Sequence, residues 1–307
     1  MRIIGTGSAL PRKIVTNDML SEFLDTSDEW IRTRTGVVSR HVISDEKLEY
    51  MAIEASLKAL DDAGIKAEEL DFIICSNVVN EYVTPQLSCL IQGGIGATCP
   101  CIDINCACAG FIYALDIAES FHLSGRVRNV LVVSAEEPTR MSDWSDRRTC
   151  VLFGDGAGAA VLAPGDNIRS IKLSASSATD KLWQYRLLQP TPYITKEEKD
   201  VPLQMKGQDV FKFAVKAAGK DISRVLEETG IRPDEVGHFL LHQANIRIVN
   251  AIQEYLGEPE EKFPVNIADH GNSSSSSCPI LLDECNRNGV LKRGDIIVMS
   301  AFGAGFV

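Results

Sequence analysis

The chain has 307 residues, of which 45% are apolar and 24% are charged, and its formal net charge at pH 7 is −11. This apolar content is ample for a buried core, whereas the acidic balance excludes a general affinity for nucleic acid or for an anionic membrane. An acidic partner would therefore need a local basic patch. Apolar runs fall far short of the roughly 20 residues that span a bilayer. The N-terminus lacks the pattern of a signal peptide, so we expect a cytoplasmic protein.

Helical and strand patterns alternate along the chain. Closing glycines and apolar spacing mark each predicted element. This alternation is typical of α/β proteins with a mostly parallel sheet. In chain order the predictions are a helix over residues 51–62, a strand from residue 72, a helix from residue 111, strands at 130–135 and 159–163, a helix over 210–228, and strands at 239–241 and 296–301.

The later part of the chain repeats the earlier part at an offset of 166 residues. Residues 63–74 (AGIKAEELDFII) match 229–240 (TGIRPDEVGHFL), and residues 130–135 (VLVVSA) match 296–301 (IIVMSA). A duplication would give two halves, residues 1–165 and 166–307, although any two α/β segments can look alike. By this count the second half lacks its final strand.

The boundary between these halves lies next to a polar stretch. Residues 174–199 contain two prolines, Pro190 and Pro192, and the charged run at 196–199. Such a composition predicts a surface loop.

Four of the nine cysteines lie close together, at Cys99, Cys101, Cys106 and Cys108. As thiolates they would be enough for a tetrahedral zinc or iron–sulfur site. Structural zinc sites favour longer gaps, however, and the Cys-x-Cys spacing here resembles strand alternation. As reduced thiols the four would pack as small apolar residues.

Cys108 differs from its neighbours because of the residues that come after it. Ala109 and Gly110 are small enough for a backbone or a substrate to approach closely, and a helix is predicted from Phe111. The positive end of that helix would favour the Cys108 thiolate. The cluster is therefore a metal site, part of a core, or one reactive thiol among packed neighbours.

A nucleophilic cysteine usually needs an imidazole or a set of hydrogen-bond donors as well. His242 ends the predicted strand at 239–241, and α/β sites assemble at the carboxyl ends of parallel strands. His270 precedes Asn272 and a serine run at 273–277, which we interpret as a crowded helix entrance. His242 is the first candidate partner and His270 the second.

Six motifs together resemble the β-ketoacyl-acyl carrier protein synthase III family, and they follow one another over nearly the whole chain. The resemblance implies an α/β thiolase-like fold with duplicated βαβαβαββ halves in a five-layered α-β-α-β-α arrangement. It also implies a homodimeric condensing enzyme that uses acyl-CoA and acyl carrier protein, needs no cofactor and starts fatty-acid synthesis. The motifs are residues 28–36 (DEWIRTRTG), 105–111 (NCACAGF), 153–159 (FGDGAGA), 242–247 (HQANIR), 270–272 (HGN) and 301–306 (AFGAGF).

The resemblance also assigns catalytic roles by motif position. Cys108 would be the nucleophile, and His242 and Asn272 would support decarboxylation of a malonyl thioester. The backbone N–H groups of Cys108 and Ala304 would hold the carbonyl oxyanion. Ala304 stands where the family usually has glycine, but only its N–H group is needed.

Substrate-binding residues are implied by the resemblance in the same way. Trp30 would stack on the adenine of CoA, Arg34 and Arg147 would meet its phosphates, and Thr84 would limit the acyl pocket and leave room for more than acetyl. The remaining residues implied in binding CoA or substrate are Gly207, Phe211, Ala244, Asn245 and Phe302.

A carrier-protein site is implied at Lys212 and Arg247. Lys212 begins a basic stripe that continues through Lys216, Lys220 and Arg224 on one predicted helix, and this stripe is equally interpretable as a solvated face. Glu254 and Tyr255 stand where family members often have lysines, which departs from the expected docking surface.

Two other functions stay open at this point. One is a synthase-III-like acyltransferase of specialised metabolism, which would deliver the acyl group to an amine, an alcohol or a carbon nucleophile. The other is a metal-binding protein built on the cysteine cluster.

Overall fold

The computed structural model describes residues 1–185, 191–193 and 201–307. Pro190 and the charged run at 196–199 of the predicted surface loop lie outside the described residues. The strands are β1 (Arg2–Ala9), β2 (Lys13–Thr16), β3 (Ser39–Val42), β4 (Phe72–Ser76), β5 (Cys101–Ile104), β6 (Val130–Glu136), β7 (Gly156–Ala163), β8 (Leu182–Trp183), β9 (Gln204–Met205), β10 (His238–Leu241) and β11 (Ile297–Ser300). The α-helices are α1 (Asn17–Ser21), α2 (Asp28–Thr35), α3 (Leu48–Ala63), α4 (Leu87–Ile95), α5 (Gly110–Leu123), α6 (Gly207–Thr229), α7 (Ile246–Leu256), α8 (Ile267–His270) and α9 (Ser277–Arg287).

Two sheets organise the chain. The larger has the strand order β1-β7-β6-β4-β5, and the smaller pairs β10 with β11 in parallel. Strands β4, β5 and β6 run parallel, whereas β7 is antiparallel to both β1 and β6. The expectation of a mostly parallel sheet is therefore wrong for the β1–β7–β6 side, because no α-helix separates β6 from β7 to return the chain to the same edge.

The helices form three layers around these sheets. Helices α3 and α4 cover one face of the larger sheet, and α5 and α9 cover its other face. Helix α9 also packs on the smaller sheet, whose opposite face is covered by α6 and α7. This is the five-layered arrangement that the resemblance implies. Strands β6 and β7 are buried along their whole lengths, which explains their unbroken apolar sequences.

Local details of the first half recur in the second. Helices α3 and α6 end at Gly64 and Gly230, whose φ angles of 67° and 68° lie in the left-handed region that glycine favours. A short 3₁₀ turn comes next in each case, and Glu69 and Glu235 each accept a 2.8 Å bond from the backbone N–H three residues earlier. Strands β4 and β10 come after these turns. The boundary at residues 165 and 166 stays a prediction.

Helix α9 is fastened to the first strand by a buried carboxylate. Asp283 accepts hydrogen bonds from Thr6 Oγ1 at 2.8 Å, from Ser8 Oγ at 2.6 Å and from Arg287 Nε at 2.8 Å. These bonds join the two halves of the chain across the middle helical layer. In the described part of the chain, no helix has the length and apolar character needed to cross a bilayer.

Candidate active site

The nucleophile candidate lies in a 3₁₀ turn, Ala107–Ala109, between β5 and α5. Cys108 is partly accessible and comes two residues before α5 begins, as the sequence predicts. Gly110 opens the helix against β4, and a Cβ atom there would lie 1.8 Å from Ser76 Oγ. The close approach at Gly110 comes from a side chain of β4 and not from a backbone or a substrate, and an added Cβ atom would have to displace Ser76.

Burial governs the acidity of the Cys108 thiol. Loss of solvent raises its pKa to about 11, while a hydrogen bond with Ser274 lowers the pKa and the nearby Glu136 carboxyl raises it. The Ser274 Oγ atom lies 3.4 Å from Cys108 Sγ. Desolvation therefore opposes the effect that we expect from the helix end, and it raises the pKa of Cys108.

The other cysteines of the cluster behave as packed thiols. Burial raises the pKa of Cys99, Cys101 and Cys106 as well. Cys101 Sγ lies 3.5 Å from the sulfur of Cys89. Over residues 1–185, 191–193 and 201–307, no three His, Cys, Asp or Glu side chains stand together as metal ligands would.

His242 comes directly after β10 and is held by helix α9. Its Nδ1 atom lies 2.6 Å from Ser277 Oγ, which also accepts the backbone N–H of Gln243 at 3.3 Å. The Ser277 hydroxyl can donate its own proton to Nδ1 while it accepts from Gln243, and we assign the ring N–H to Nε2 on this basis. Burial lowers the pKa of His242 to about 3, so the imidazole is neutral at pH 7.

Asn272 is oriented by its own turn. Its backbone N–H donates to Leu152 O at 2.8 Å, and its carbonyl oxygen accepts from Gly154 N at 3.1 Å. The side-chain Oδ1 atom accepts the Ser274 backbone N–H at 2.8 Å. Because the amide oxygen is occupied, the NH₂ group is left as the donor that Asn272 offers.

A single cavity of about 490 Å³ brings these residues together from both halves of the chain. Cys108, His242, Asn272 and Ala304 all line it. Gly303 lets the loop after β11 pack directly against the turn that carries Cys108, because a Cβ atom at Gly303 would lie 2.9 Å from the Cys108 backbone nitrogen. Ala304 is thus adjacent to a point of direct backbone contact with the nucleophile turn.

Aromatic and basic side chains line the same cavity around Trp30. The guanidinium carbons of Arg34 and Arg147 lie 4.7 and 4.9 Å from the centroid of the Trp30 ring. Asn245 caps α7 by accepting the Arg247 N–H at 2.9 Å and donates to Arg34 O at 3.0 Å. Its amide therefore positions α2 against α7.

The remaining predicted binding residues also line this cavity, with one exception. Phe302 meets the His242 ring edge to face, with ring centroids 5.3 Å apart. The cavity lining also contains five cationic residues, which we call the basic rim. They form a local basic patch on an otherwise acidic chain. The other predicted residues in the lining are Gly207, Phe211 and Ala244, and the basic rim is Arg34, Arg147, Arg148, Lys212 and Arg247.

Thr84 is the exception. It is exposed and does not line the cavity of its own chain, and its role at an acyl pocket stays a prediction. The stretch after β4 is instead exposed and carries the apolar side chains of Tyr82 and Val83.

The basic stripe on α6 extends beyond the cavity. Lys216, Lys220 and Arg224 are exposed and do not line it, and Arg224 pairs with Glu228 at 3.2 Å. Lys212 is the member of the stripe that belongs to the cavity.

Three residues at the site escaped the sequence analysis: Ser274, Ser277 and Glu136. The two serines were visible only as part of a crowded helix entrance, and α9 does begin at the end of that run. Glu136 ends the apolar strand β6 and gives no sequence signal of its own.

A duplicated five-layered α/β fold with Cys, His and Asn in one cavity defines the class of thiolase-like condensing enzymes. Sequence profiles described as 3-oxoacyl-[acyl-carrier-protein] synthase III and its C-terminal region match residues 102–180 and 226–307. The β-ketoacyl-[acyl-carrier-protein] synthase III of Aquifex aeolicus is 44% identical over 99% of this chain and 96% of its own length. The chain belongs to the 3-oxoacyl-[acyl-carrier-protein] synthase III family.

Solved structures agree with this assignment. The synthase III structure from Thermus thermophilus superposes with a TM-score of 0.93 at 35% identity, covering 100% of this chain and 96% of that one. The priming β-ketosynthase of the R1128 polyketide biosynthetic pathway gives 0.90 at 35% identity, with 99% and 93% covered.

The Ser277 contact predicts control of the His242 tautomer. In Ser277→Ala the donor to Nδ1 is lost, so we expect the ring proton to distribute over both nitrogens. ¹⁵N NMR of labelled histidine should show one Nε2–H form in the unchanged protein at pH 7 and a mixture in the variant. Loss of one buried hydrogen bond should slow decarboxylation of a malonyl thioester about tenfold.

Ser276→Ala is the matched control, because the Ser276 hydroxyl is buried without a hydrogen-bond partner among the described residues. A Ser277→Ala protein that keeps the single tautomer would contradict the assignment.

Proposed function

We propose that this protein is a β-ketoacyl-acyl carrier protein synthase III. It transfers an acyl group from acyl-CoA to Cys108 and condenses it with malonyl-acyl carrier protein, which gives 3-oxoacyl-acyl carrier protein, CoA and CO₂. The observation that carries the proposal is the convergence of Cys108, a neutral His242 and an oriented Asn272 in one cavity with a basic rim.

In the first half-reaction the Cys108 sulfur attacks the thioester carbonyl of acyl-CoA. The N–H groups of Cys108 and Ala304 stabilise the oxyanion, and a donor of this kind contributes about 2.7–4 kcal/mol. The carbon–sulfur bond to CoA breaks, and CoA leaves as its thiol. Trp30 offers a face for the adenine, and Arg34 and Arg147 offer forked donors for the phosphates.

In the second half-reaction the malonyl thioester loses its carboxylate as CO₂. The electron pair enters the thioester as an enolate, and His242 Nε2–H and the Asn272 NH₂ group donate to its oxygen. The enolate carbon then attacks the acyl carbonyl on Cys108, and the cysteine sulfur leaves as a thiolate, which takes up a proton from solvent to restore the thiol. Because the imidazole is neutral and the amide cannot titrate, both donors are available at pH 7 without a cofactor.

The carrier protein would dock at the basic rim. Acyl carrier protein is acidic, and the net charge of −11 would repel it everywhere except at a local cluster of cations. Lys212 and Arg247 lie on different helices at the same cavity, where a carrier-bound substrate must enter.

A homodimer in the cytoplasm completes the proposal. Val79, Tyr82 and Val83 are exposed around Thr84, and Val83 is 78% accessible. A second copy would cover these apolar side chains and bring Thr84 towards a neighbouring cavity. All nine cysteines are free thiols, which fits a reducing compartment.

A second candidate is an acyltransferase that primes a specialised pathway. The similarity to the R1128 priming ketosynthase supports it. The two candidates share the acylation of Cys108 and differ in acyl chain and acceptor. A panel of acyl-CoAs, followed by malonyl-CoA or malonyl-acyl carrier protein, would separate them by adduct mass and product.

Cys108→Ser should abolish the acyl-enzyme, because the alcohol is a far weaker nucleophile than the thiol. Cys106→Ser is the matched control, since Cys106 packs beside the turn and lies outside the cavity lining. Intact-protein mass spectrometry after incubation with acetyl-CoA measures the adduct. Equal loss in both variants would refute the assignment of the nucleophile.

His242→Ala and Asn272→Ala should still acylate Cys108 but release CO₂ about 10² to 10³ times more slowly, because each removes one enolate donor. Trapping of ¹⁴CO₂ from a labelled malonyl thioester measures this step. Normal decarboxylation in either variant would overturn the role of that residue.

Charge reversal at the rim should raise KM for malonyl-acyl carrier protein and leave kcat nearly unchanged. We expect about a tenfold increase for Lys212→Glu with Arg247→Glu at low salt, declining as salt screens the interaction. Lys216→Glu with Lys220→Glu is the control on the same helix. An equal increase in both pairs would show that net charge, and not the basic rim, recruits the carrier.

A further inference from the structure

A buried carboxyl stands behind the nucleophile, and neither half-reaction uses it. Glu136 ends β6 and is 1% accessible. It accepts hydrogen bonds from Ser275 Oγ at 2.6 Å and from Val78 N at 3.1 Å. No cationic side chain in the described residues forms an ion pair with it, so its burial costs stability without an ionic partner to offset the cost.

One hydroxyl lies between this carboxyl and the reactive sulfur. Ser274 Oγ is 3.4 Å from Glu136 Oε1 and 3.4 Å from Cys108 Sγ. Both contacts are long, as catalytic hydrogen bonds often are before substrate binds. Because a hydroxyl has one proton and two lone pairs, Ser274 can accept the thiol proton while it donates its own to Glu136.

The attack of Cys108 needs such an acceptor. Desolvation raises the pKa of the Cys108 thiol. His242 is engaged at Nδ1 by Ser277, and in the assigned tautomer its Nε2 atom carries a proton, so neither ring nitrogen is a free acceptor. The Ser274 hydroxyl lies beside the sulfur and can take up its proton. This inference rests on the proposed function, because it concerns the acylation step.

We propose that Glu136 accepts the proton of the Cys108 thiol during acylation, acting through the Ser274 hydroxyl. The S–H bond breaks as the sulfur–carbon bond to the acyl group forms. The thiol proton moves to Ser274 Oγ, and the serine proton moves to Glu136 Oε1. When the carbon–sulfur bond to CoA breaks, the same path returns a proton to the leaving thiolate, so Glu136 ends in the carboxylate form that the step requires. With a pKa of about 8, Glu136 holds this form in part at pH 7 and more fully at higher pH.

The acidity of the neighbouring groups suits this role. Burial raises the pKa of Glu136 to about 8, close to the range in which a thiol can deliver a proton. His242 shares the cavity of Cys108 and is neutral. The neighbouring titratable thiols are Cys75, whose pKa is raised by burial and by the Glu136 charge, and Cys278, whose pKa is raised by burial and by the Cys108 charge. Both therefore stay neutral while Glu136 titrates.

The test compares Glu136→Gln and Ser274→Gly with the unchanged protein. Alkylation of Cys108 by iodoacetamide and its acylation by acetyl-CoA are followed by intact-protein mass spectrometry from about pH 6 to about pH 10. We expect both variants to react at least about tenfold more slowly near pH 8, and their rates to rise only at higher pH, where the thiol ionises unaided. Glycine is chosen because the φ angle of Ser274 is 54°.

The direction in which the alkylation rate of Cys108 changes separates a proton acceptor from a merely structural carboxyl. The Glu136 charge raises the pKa of Cys108, so removal of a bystander carboxylate would make the thiol more acidic and its alkylation faster. Removal of the proton acceptor makes alkylation slower. The double variant should be no slower than either single variant, because both interrupt the same path.

Ser276→Ala is the matched control, since the Ser276 hydroxyl is buried in the same serine run without a hydrogen-bond partner among the described residues. Decarboxylation of a malonyl thioester should continue in Ser276→Ala, because the hydrogen bonds of His242 and Asn272 are unchanged there. Rates equal to or above those of the unchanged protein overturn the proposal. If Glu136→Gln does not fold, Ser274→Gly decides alone. Failure of the unchanged protein to acylate would reject the proposed function, and alkylation would still test the path.

Discussion

The active site depends on the packing of two short turns, Ala107–Ala109 and Ser274–Ser276, one from each half of the chain. Ala107 and Ser274 have φ angles of 47° and 54°, a left-handed conformation that costs residues other than glycine about 1–3 kcal/mol each. The surroundings hold the turns together: Ser76 Oγ donates to Ser275 Oγ at 3.0 Å, and Gly110 leaves room for that contact. The nucleophile and its partners exist as a site only where these turns meet.

Exclusion of water then sets the charge of every group at the centre. The same desolvation raises the pKa of Cys108 and of Glu136 and lowers the pKa of His242. At pH 7 the resting site therefore holds a thiol, a largely protonated carboxyl and a neutral imidazole. Neutral donors suit an enolate that forms only during the reaction, because they do not attract a carboxylate before it is lost.

Many of the secondary-structure elements and two of the site residues could be predicted from the sequence. Helical and β periodicity located α3, α6 and the central strands, and the 166-residue repeat anticipated the matching capped turns. Cys108 and His242 were identified by position, one before a helix and one after a strand. These predictions succeed because each depends on residues that are close together in the sequence.

The rest depends on tertiary packing, which a linear pattern does not record. The pKa of Cys108 depends on how deeply the turn is covered, and the helix dipole alone predicted the opposite direction. Glu136 looks like any polar residue at the end of a strand, and only the fold places it behind Ser274. Thr84 was assigned through family motifs, but its place outside the cavity of its own chain results from the course of the segment after β4.

Asp283 has a mechanical consequence for how substrates come and go. Its bonds to Thr6 and Ser8 tie α9 to β1, so these two elements can separate only if both bonds break. Moving α9 away from β1 would expose the buried Asp283 side chain and break those bonds. We therefore expect two bulky thioesters to exchange in turn through swinging side chains such as Trp30 and Arg147, with the backbone standing still.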